Sequence, residues 1–375
     1  MLNKPKNAFL AKYFLSLNLI NFLILIKPFF SELGYQSFGR IWQFHSSWFE
    51  FGFVRRSVVA TILDSVGIPL SKENPYLAPY IIYSLILICA LNYIVFQHRS
   101  FIQENFILSL AIFFSPAFFL HLSYTTGNFD VISLVVFYFL INSKKFVIAI
   151  LLITFGMLNH EIFMLFLPLY IFSEYISRES FSEFFKKSLA ITTITFINFY
   201  AFMKIAIPKM DQSRFDELMS KKLGVASGKH PFWSGYLELS PKSPLEYQEK
   251  YGIDPQVIWE NIGFVIAPTL FAILTVLVLF SILKLSRVER RILLLCSLAP
   301  FLVSLIFADD YYRYLSLSIS GLLIFFLKIF IFSGLKAKPD LRIYLLLFFS
   351  ILGPLGSGDL SRPFPVLQRI IEVIS

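Results

Sequence analysis

Apolar runs separated by brief polar punctuation occupy most of this chain. They lie near residues 13–30, 76–96, 105–124, 129–141, 146–158, 162–176, 188–207, 261–283, 292–307, 314–332 and 341–352. Several reach the eighteen or so residues that carry a helix across roughly 30 Å of hydrocarbon. A further run at 58–69 is short and interrupted by Asp64 and Gly67, which suits an interfacial or re-entrant helix. The pattern predicts an all-α protein: a polytopic transmembrane helical bundle of about eleven spans. It has an interfacial helix in the first outer loop and one long outer loop.

The distribution of cations sets the orientation, because lysine and arginine in short loops mark the cytoplasmic side. With 58–69 left uncrossed, alternate connections carry Lys144 and Lys145, then Lys186 and Lys187, then Lys284, Arg287, Arg290 and Arg291. Crossing at 58–69 would move most of them outside. The N-terminus is therefore expected in the cytoplasm. The basic start, up to Lys12, precedes a first span with no small-residue cleavage site after Phe29 and Phe30, so an uncleaved span is expected. On this reading residues 1–375 form a single integral membrane domain, with 208–260 as a long outward loop and 354–375 as an outward tail. Within the long loop, Phe215, Leu218, Met219 and Leu223 share one face of a short amphipathic helix over 213–223, with Gly224 as its stop. Beyond it, repeated Gly and Pro predict irregular structure.

Composition strengthens the membrane assignment. Hydrophobic residues make up 57% and charged residues 15%, with 45 Phe among 375 residues; an ordinary soluble domain is about a quarter charged. Cys89 and Cys296 both fall in apolar runs, so no disulfide framework or metal cluster is implied. The net charge of +9 is spread over many loops rather than one face, which argues against nucleic-acid binding. All four Trp fall on the outer side. An interfacial aromatic belt explains them, and so does a face on which sugars stack.

The remaining polar groups collect at outer turns. The first loop holds Glu50, Arg55 and Arg56; the next outer turn holds Asn128 and Asp130, with His121 in the run before it. Asn159, His160 and Glu161 follow, and then Asp309, Asp310 and Arg313. Ionisable groups near a bilayer are costly and are functional candidates by default. Each also has a plainer role. Glu50 can pair with Arg55 or Arg56, and Asp130 can cap the following helix. Asp309 and Asp310 stand four and three residues before Arg313, a helical salt-bridge spacing. Arg55 and Arg56 can meet lipid headgroups. His160 and Glu161, if both helical, point about 100° apart and share no metal.

One chemistry uses such a set: moving a sugar from a lipid phosphate to a hydroxyl. A carboxylate takes the hydroxyl proton, here Glu50, Asp130 or Glu161, with His160 beside them. Arginines (Arg55, Arg56 and Arg313) or a divalent metal held by acids stabilise the departing phosphate, with Asn128, Asp309 and Asp310 in support. A polyprenyl-linked donor enters sideways from the membrane lipids, which is why such an enzyme is polytopic.

An outer loop with an acid, an interfacial helix after it and acids at later outer turns resembles the C-type glycosyltransferase architecture. The Phe-rich chain, the span number and the single large outer loop are also similar to O-antigen and exopolysaccharide polymerases. The stretches that carry the resemblance run from Trp48 to Arg56, from Gly127 to Asp130, from Asn159 to Glu161 and from Asp309 to Arg313. The resemblance implies an outward-facing enzyme of a bacterial inner membrane with a polyprenyl-linked sugar donor and a glycan acceptor. The first loop departs from many such transferases in lacking two acids separated by one residue, which leaves Glu50 as its lone candidate base and metal use open. A lipid-linked sugar flippase or other transporter is the main alternative, then a polytopic acyltransferase with His121 or His160 as base. Transporters often carry repeated halves and midplane sites, and no repeat is visible here.

Overall fold

The computed structural model describes residues 41–54, 56–68, 77–113, 115, 130–178, 180–205, 210–223, 262–283, 285–307, 311–333 and 339–352. The expected first span, the second half of the 105–124 run, most of the long loop and the tail lie outside these residues. Among the described residues every regular element is helical, as expected. A 3-10 turn at Ile41–Phe44 precedes α1 (Trp48–Phe51), α2 (Val58–Ser65), α3 (Leu77–Gln97), α4 (Arg99–Glu104) and α5 (Phe106–Phe113). Then come α6 (Asp130–Asn142), α7 (Phe146–Asn159), a 3-10 turn at Glu161–Phe166, α8 (Leu167–Ile176), α9 (Phe181–Ile205) and α10 (Gln212–Leu223). The series closes with α11 (Ile262–Ile282), α12 (Arg287–Phe307), α13 (Tyr311–Ser333) and α14 (Leu341–Leu352).

Helix ends follow local chemistry more than apolar content. α12 starts five residues before its apolar run because Ser286 and Glu289 form a reciprocal capping box. The Glu289 N–H donates to Ser286 Oγ at 3.3 Å, and the Ser286 N–H to Glu289 Oε2 at 2.8 Å. α9 likewise begins at Phe181 rather than 188, with Ser180 Oγ accepting from Glu183 N–H. Asp211 opens α10 by accepting from Arg214 N–H at 2.9 Å. The run at 162–176 is not one helix. Its first turn is 3-10, and Pro168, which has no N–H to give, sits in the first turn of α8.

The chain divides into two compact units. Unit 1 holds the described residues of 84–124 and 253–375, and unit 2 those of 36–83 and 125–252. In unit 1, α12 packs on α13, and α14 on α5 and α11. Pro300 lies inside α12, and the Phe301 N–H donates to Ser318 Oγ on α13 at 3.2 Å. A neighbouring hydroxyl thus takes a backbone donor beside the proline. Ser350 Oγ of α14 donates to the Ala111 carbonyl of α5 at 2.9 Å. His98, in the turn between α3 and α4, is almost wholly buried. That burial pushes its pKa down to about 4.

In unit 2, α6 and α7 form an antiparallel hairpin turned at Ser143–Lys145, and α9 packs on α7. Ala149, Ile153 and Met157, one turn apart on α7, are fully buried, and Asn198 of α9 donates to Thr154 Oγ1 at 3.0 Å. α10 is the amphipathic helix expected in the long loop, with Phe215 and Met219 fully buried.

The outer helix faces are apolar. α9 exposes Phe181, Phe185, Leu189, Phe196, Ile197 and Tyr200; α11 exposes Ile266, Leu270, Ile273 and Leu277. α14 does the same with Leu341, Leu345 and Phe348. These positions recur at helical spacing, where a water-facing helix would place polar side chains. Among the described residues one helix is long and apolar enough to cross a membrane, over Arg313–Phe330. The mean hydropathy of that window is 1.6 and 94% of it is buried. Shorter apolar helices include Asp130–Asn142, Phe146–Asn159 and Pro268–Ile282.

Candidate functional site

The hairpin geometry explains how residues thirty apart meet. Asp130 opens α6 and Asn159 closes α7, so antiparallel packing sets both at the end away from the Lys144–Lys145 turn. There Asn159 Nδ2 donates to Ser133 Oγ at 3.2 Å, and both residues are fully buried. The helix stops at Asn159 because His160 is extended (φ −160°, ψ 128°). Its Nδ1 accepts the Ile162 N–H at 3.1 Å and so caps the 3-10 turn. With Nδ1 occupied as an acceptor, the neutral ring carries its proton on Nε2, which lies 3.9 Å from Asp130 Oδ1. Asp130 is wholly buried and His160 nearly so.

Because His160 is extended, the helical step of about 100° between it and Glu161 does not apply. Its Nδ1 lies 3.6 Å from Glu161 Oε2, because the two residues straddle a helix break. A close approach keeps this break in place. A Cβ on Gly156 would sit 2.5–2.7 Å from ring atoms of Phe163, so only glycine lets the 3-10 turn fold back onto α7.

Glu161 reaches across to the first loop. Arg56 Nη2 meets Glu161 Oε1 at 2.5 Å and Arg56 Nε lies 3.3 Å from Oε2, a two-point guanidinium–carboxylate pair. Both side chains are about one-fifth exposed. Arg56 has φ +61°, and among the described residues it is the non-glycine residue with a left-handed backbone. Such a conformation costs of order 1–3 kcal/mol and persists where its surroundings fix it. Here the next residue does so: Ser57 Oγ and Ser46 Oγ are 2.8 Å apart and buried.

Glu50 belongs to a different locus. Among the described residues its partner is Lys222 at the end of α10 rather than Arg56. The Lys222 ammonium also donates to the His45 carbonyl at 2.9 Å, and Phe51 packs edge-on against Phe215 at 5.8 Å. α10 thereby lies over α1. Between them is a cavity of about 260 Å³ lined by Glu50, Asp64, Lys221 and Lys222, with Phe44 and Leu63 among its apolar walls. Asp64 also accepts from Ser47 Oγ at 2.5 Å. Sequence reasoning missed Asp64, Lys221 and Lys222. The amphipathic pattern of α10 was readable, but nothing local says which surface it covers.

Trp48 is not an open stacking platform. Its indole N–H donates to the Val54 carbonyl at 2.9 Å and its ring lies against Phe53 at 4.6 Å. Arg313 is buried at the start of α13 in unit 1, with its guanidinium 5.7 Å from the Tyr314 ring centroid. Arg55, His121, Asn128, Asp309 and Asp310 lie outside the described residues. Among the described residues no group of three or more His, Cys, Asp or Glu side chains is arranged to hold a metal ion. Comparison of the chain with protein-family models, with curated proteins and with solved structures finds no match.

Proposed function

We propose that this chain is an outward-facing, multi-pass membrane glycosyltransferase or polysaccharide polymerase, with its N-terminus in the cytoplasm of a bacterium. It takes a polyprenyl-phosphate- or diphosphate-linked sugar donor and a glycan acceptor. The apolar stripes on the exposed faces of α9, α11 and α14 support a lipid environment, since water would leave so much apolar surface uncompensated. Length adds to this in α13, whose Arg313–Phe330 stretch is long and apolar enough to cross a membrane.

The observation that carries the chemical reading is the pairing of Arg56 with Glu161 beside buried His160 and Asp130. A planar guanidinium held in a fixed backbone is suited to two-point binding of phosphate. A donor phosphate competes with Glu161 for that fork. Asp130 and His160 act as positioning residues: His160 spends Nδ1 on the Ile162 N–H, which fixes the backbone turn that carries Glu161, and its Nε2 faces Asp130. Glu50, more than a third exposed in its cavity, is the acceptor-side base. The acceptor oxygen bonds to the anomeric carbon as the bond to phosphate oxygen breaks. The electron pair leaves on the phosphate, the hydroxyl proton passes to Glu50, and Arg56 stabilises the leaving charge.

The test is the surface-polysaccharide gel profile of a deletion strain complemented with wild type or with Glu50→Gln. Collapse to a single repeat unit indicates polymerisation, and a shifted ladder indicates single-sugar transfer; Glu50→Gln is expected to restore neither. A profile identical in deletion and wild type refutes glycan assembly and turns attention to flipping or acyl transfer.

A further inference from the structure

The cavity beside Glu50 carries more charge than taking one proton from an acceptor requires. Three elements of unit 2 wall it: the first loop with Glu50, α2 with Leu63 and Asp64, and α10 with Leu218, Lys221 and Lys222. Lys222 has three contacts with the first loop. Its ammonium pairs with Glu50, donates to the His45 carbonyl at 2.9 Å and lies 5.7 Å from the centroid of the Phe51 ring. Lys221, the next residue, makes no hydrogen bond or ion pair among the described residues.

Volume and lining together select a ligand. The cavity's 260 Å³ falls below the ~300–1,000 Å³ of pockets that take drug-sized molecules, so one sugar-sized ring fits and a long chain does not. Carboxylates only accept hydrogen bonds, so Glu50 and Asp64 require hydroxyl donors. Asp64 already shows the preference by accepting from the Ser47 hydroxyl at 2.5 Å. Ammoniums only donate, so Lys221 requires an acceptor, and a negatively charged one makes the strongest bond. The apolar walls at Phe44, Leu63 and Leu218 suit the face of a pyranose. A neutral sugar answers the carboxylates and leaves Lys221 to water. An amino sugar adds a third cation beside two lysines. A sugar with an anionic group answers both kinds of charge.

We infer that this cavity binds a sugar unit bearing an anionic group, a carboxylate or a phosphate ester, read by Lys221 and Lys222. This rests on the acceptor reading of Glu50 and deepens it by naming the acceptor's class. The anion competes with Glu50 for the Lys222 ammonium. Docking of the acceptor therefore releases the Glu50 carboxylate when a hydroxyl is present to give it a proton. A neutral sugar leaves the ion pair closed.

The experiment uses the full chain in lipid nanodiscs, titrated with methyl glucuronide, methyl glucoside, methyl glucoside 6-phosphate and methyl glucosaminide. Ligand-observed NMR reads the affinities. The glucuronide or the 6-phosphate should bind about fivefold more tightly than the neutral glucoside, the size of one partly exposed charge pair. Which of the two binds better identifies the anion. Lys221→Gln should erase the preference and Lys221→Arg should keep it. Lys145→Gln, an equal loss of charge at the turn between α6 and α7, should keep it too. Equal affinity for charged and neutral glycosides overturns the inference. So does tightest binding of the glucosaminide, or a preference that survives Lys221→Gln. An anion preference with an unchanged glycan profile on deletion would retain the sugar site and reject the transferase. An altered glycan profile without that preference would do the reverse.

Discussion

Two acidic loci in unit 2 share the first loop but are built on opposite principles. Around Glu161 the polar groups are paired, capped or buried. Arg56 grips it in two places, His160 is capped onto the backbone, and Asp130 is fully buried. Around Glu50 the carboxylate is more than a third exposed, leans on a flexible lysine and faces a cavity. Rigid, desolvated ion pairs suit recognition of one anionic group, because losing either partner strands a charge. An open carboxylate beside a cavity suits exchange of protons with a substrate that comes and goes. Under the proposed function the difference divides the labour: the Arg56 locus is expected to hold the donor and the Glu50 locus to serve the acceptor.

The sharpest break in this comparison is expected from Arg56→Ala. It leaves Glu161 and its buried neighbours without their cation, so transfer should fall about a thousandfold and the variant should lose roughly 3 kcal/mol of stability. Rates on detergent-purified protein and thermal unfolding read the two effects. Glu50→Gln should separate them, lowering transfer about a hundredfold while moving stability by no more than ~0.5 kcal/mol, since its ion pair is solvent-exposed. A large stability loss in that variant would erase the distinction between the loci.

Acid stability should be governed outside both loci. His98 has a folded pKa of about 4 against 6.5 unfolded. The unfolded chain therefore binds the extra proton between these values, and stability present above pH 6.5 is lost as pH falls toward 4, by up to about 3 kcal/mol. Unfolding midpoints of His98→Asn should be flatter over this window, and identical slopes would show that another group is responsible. Gly156→Ala should cost about 2 kcal/mol of stability from the clash with Phe163. Replacing Phe163 by Leu in the same chain should recover part of it, as a double-mutant cycle would show.

The helices were legible because apolar runs are local signals, and α10 was legible from the spacing of Phe215, Leu218 and Met219. Starts at Ser180 and Ser286 were readable too, as serine three residues before glutamate, but apolar content alone places both helices too short. The pairings were not readable. Arg56 and Glu161 are separated by 105 positions, and Lys222 meets the first loop only because α10 docks on α1. Such contacts are fixed by packing, which no window along the chain contains. The break at His160 was legible as the polar turn between the runs at 146–158 and 162–176, whereas the interlocking of Gly156 and Phe163 across it was not.

The charge-swapped pair Arg56→Glu with Glu161→Arg tests the central claim most directly. It keeps an ion pair at the same place but moves the guanidinium off the strained loop position at which phosphate is expected to bind. The account predicts that the swap regains most of the thermal stability lost by Arg56→Glu alone, while the surface-glycan profile stays that of the deletion strain. A swapped chain that restores the wild-type profile would show that the pair serves the fold and not the donor.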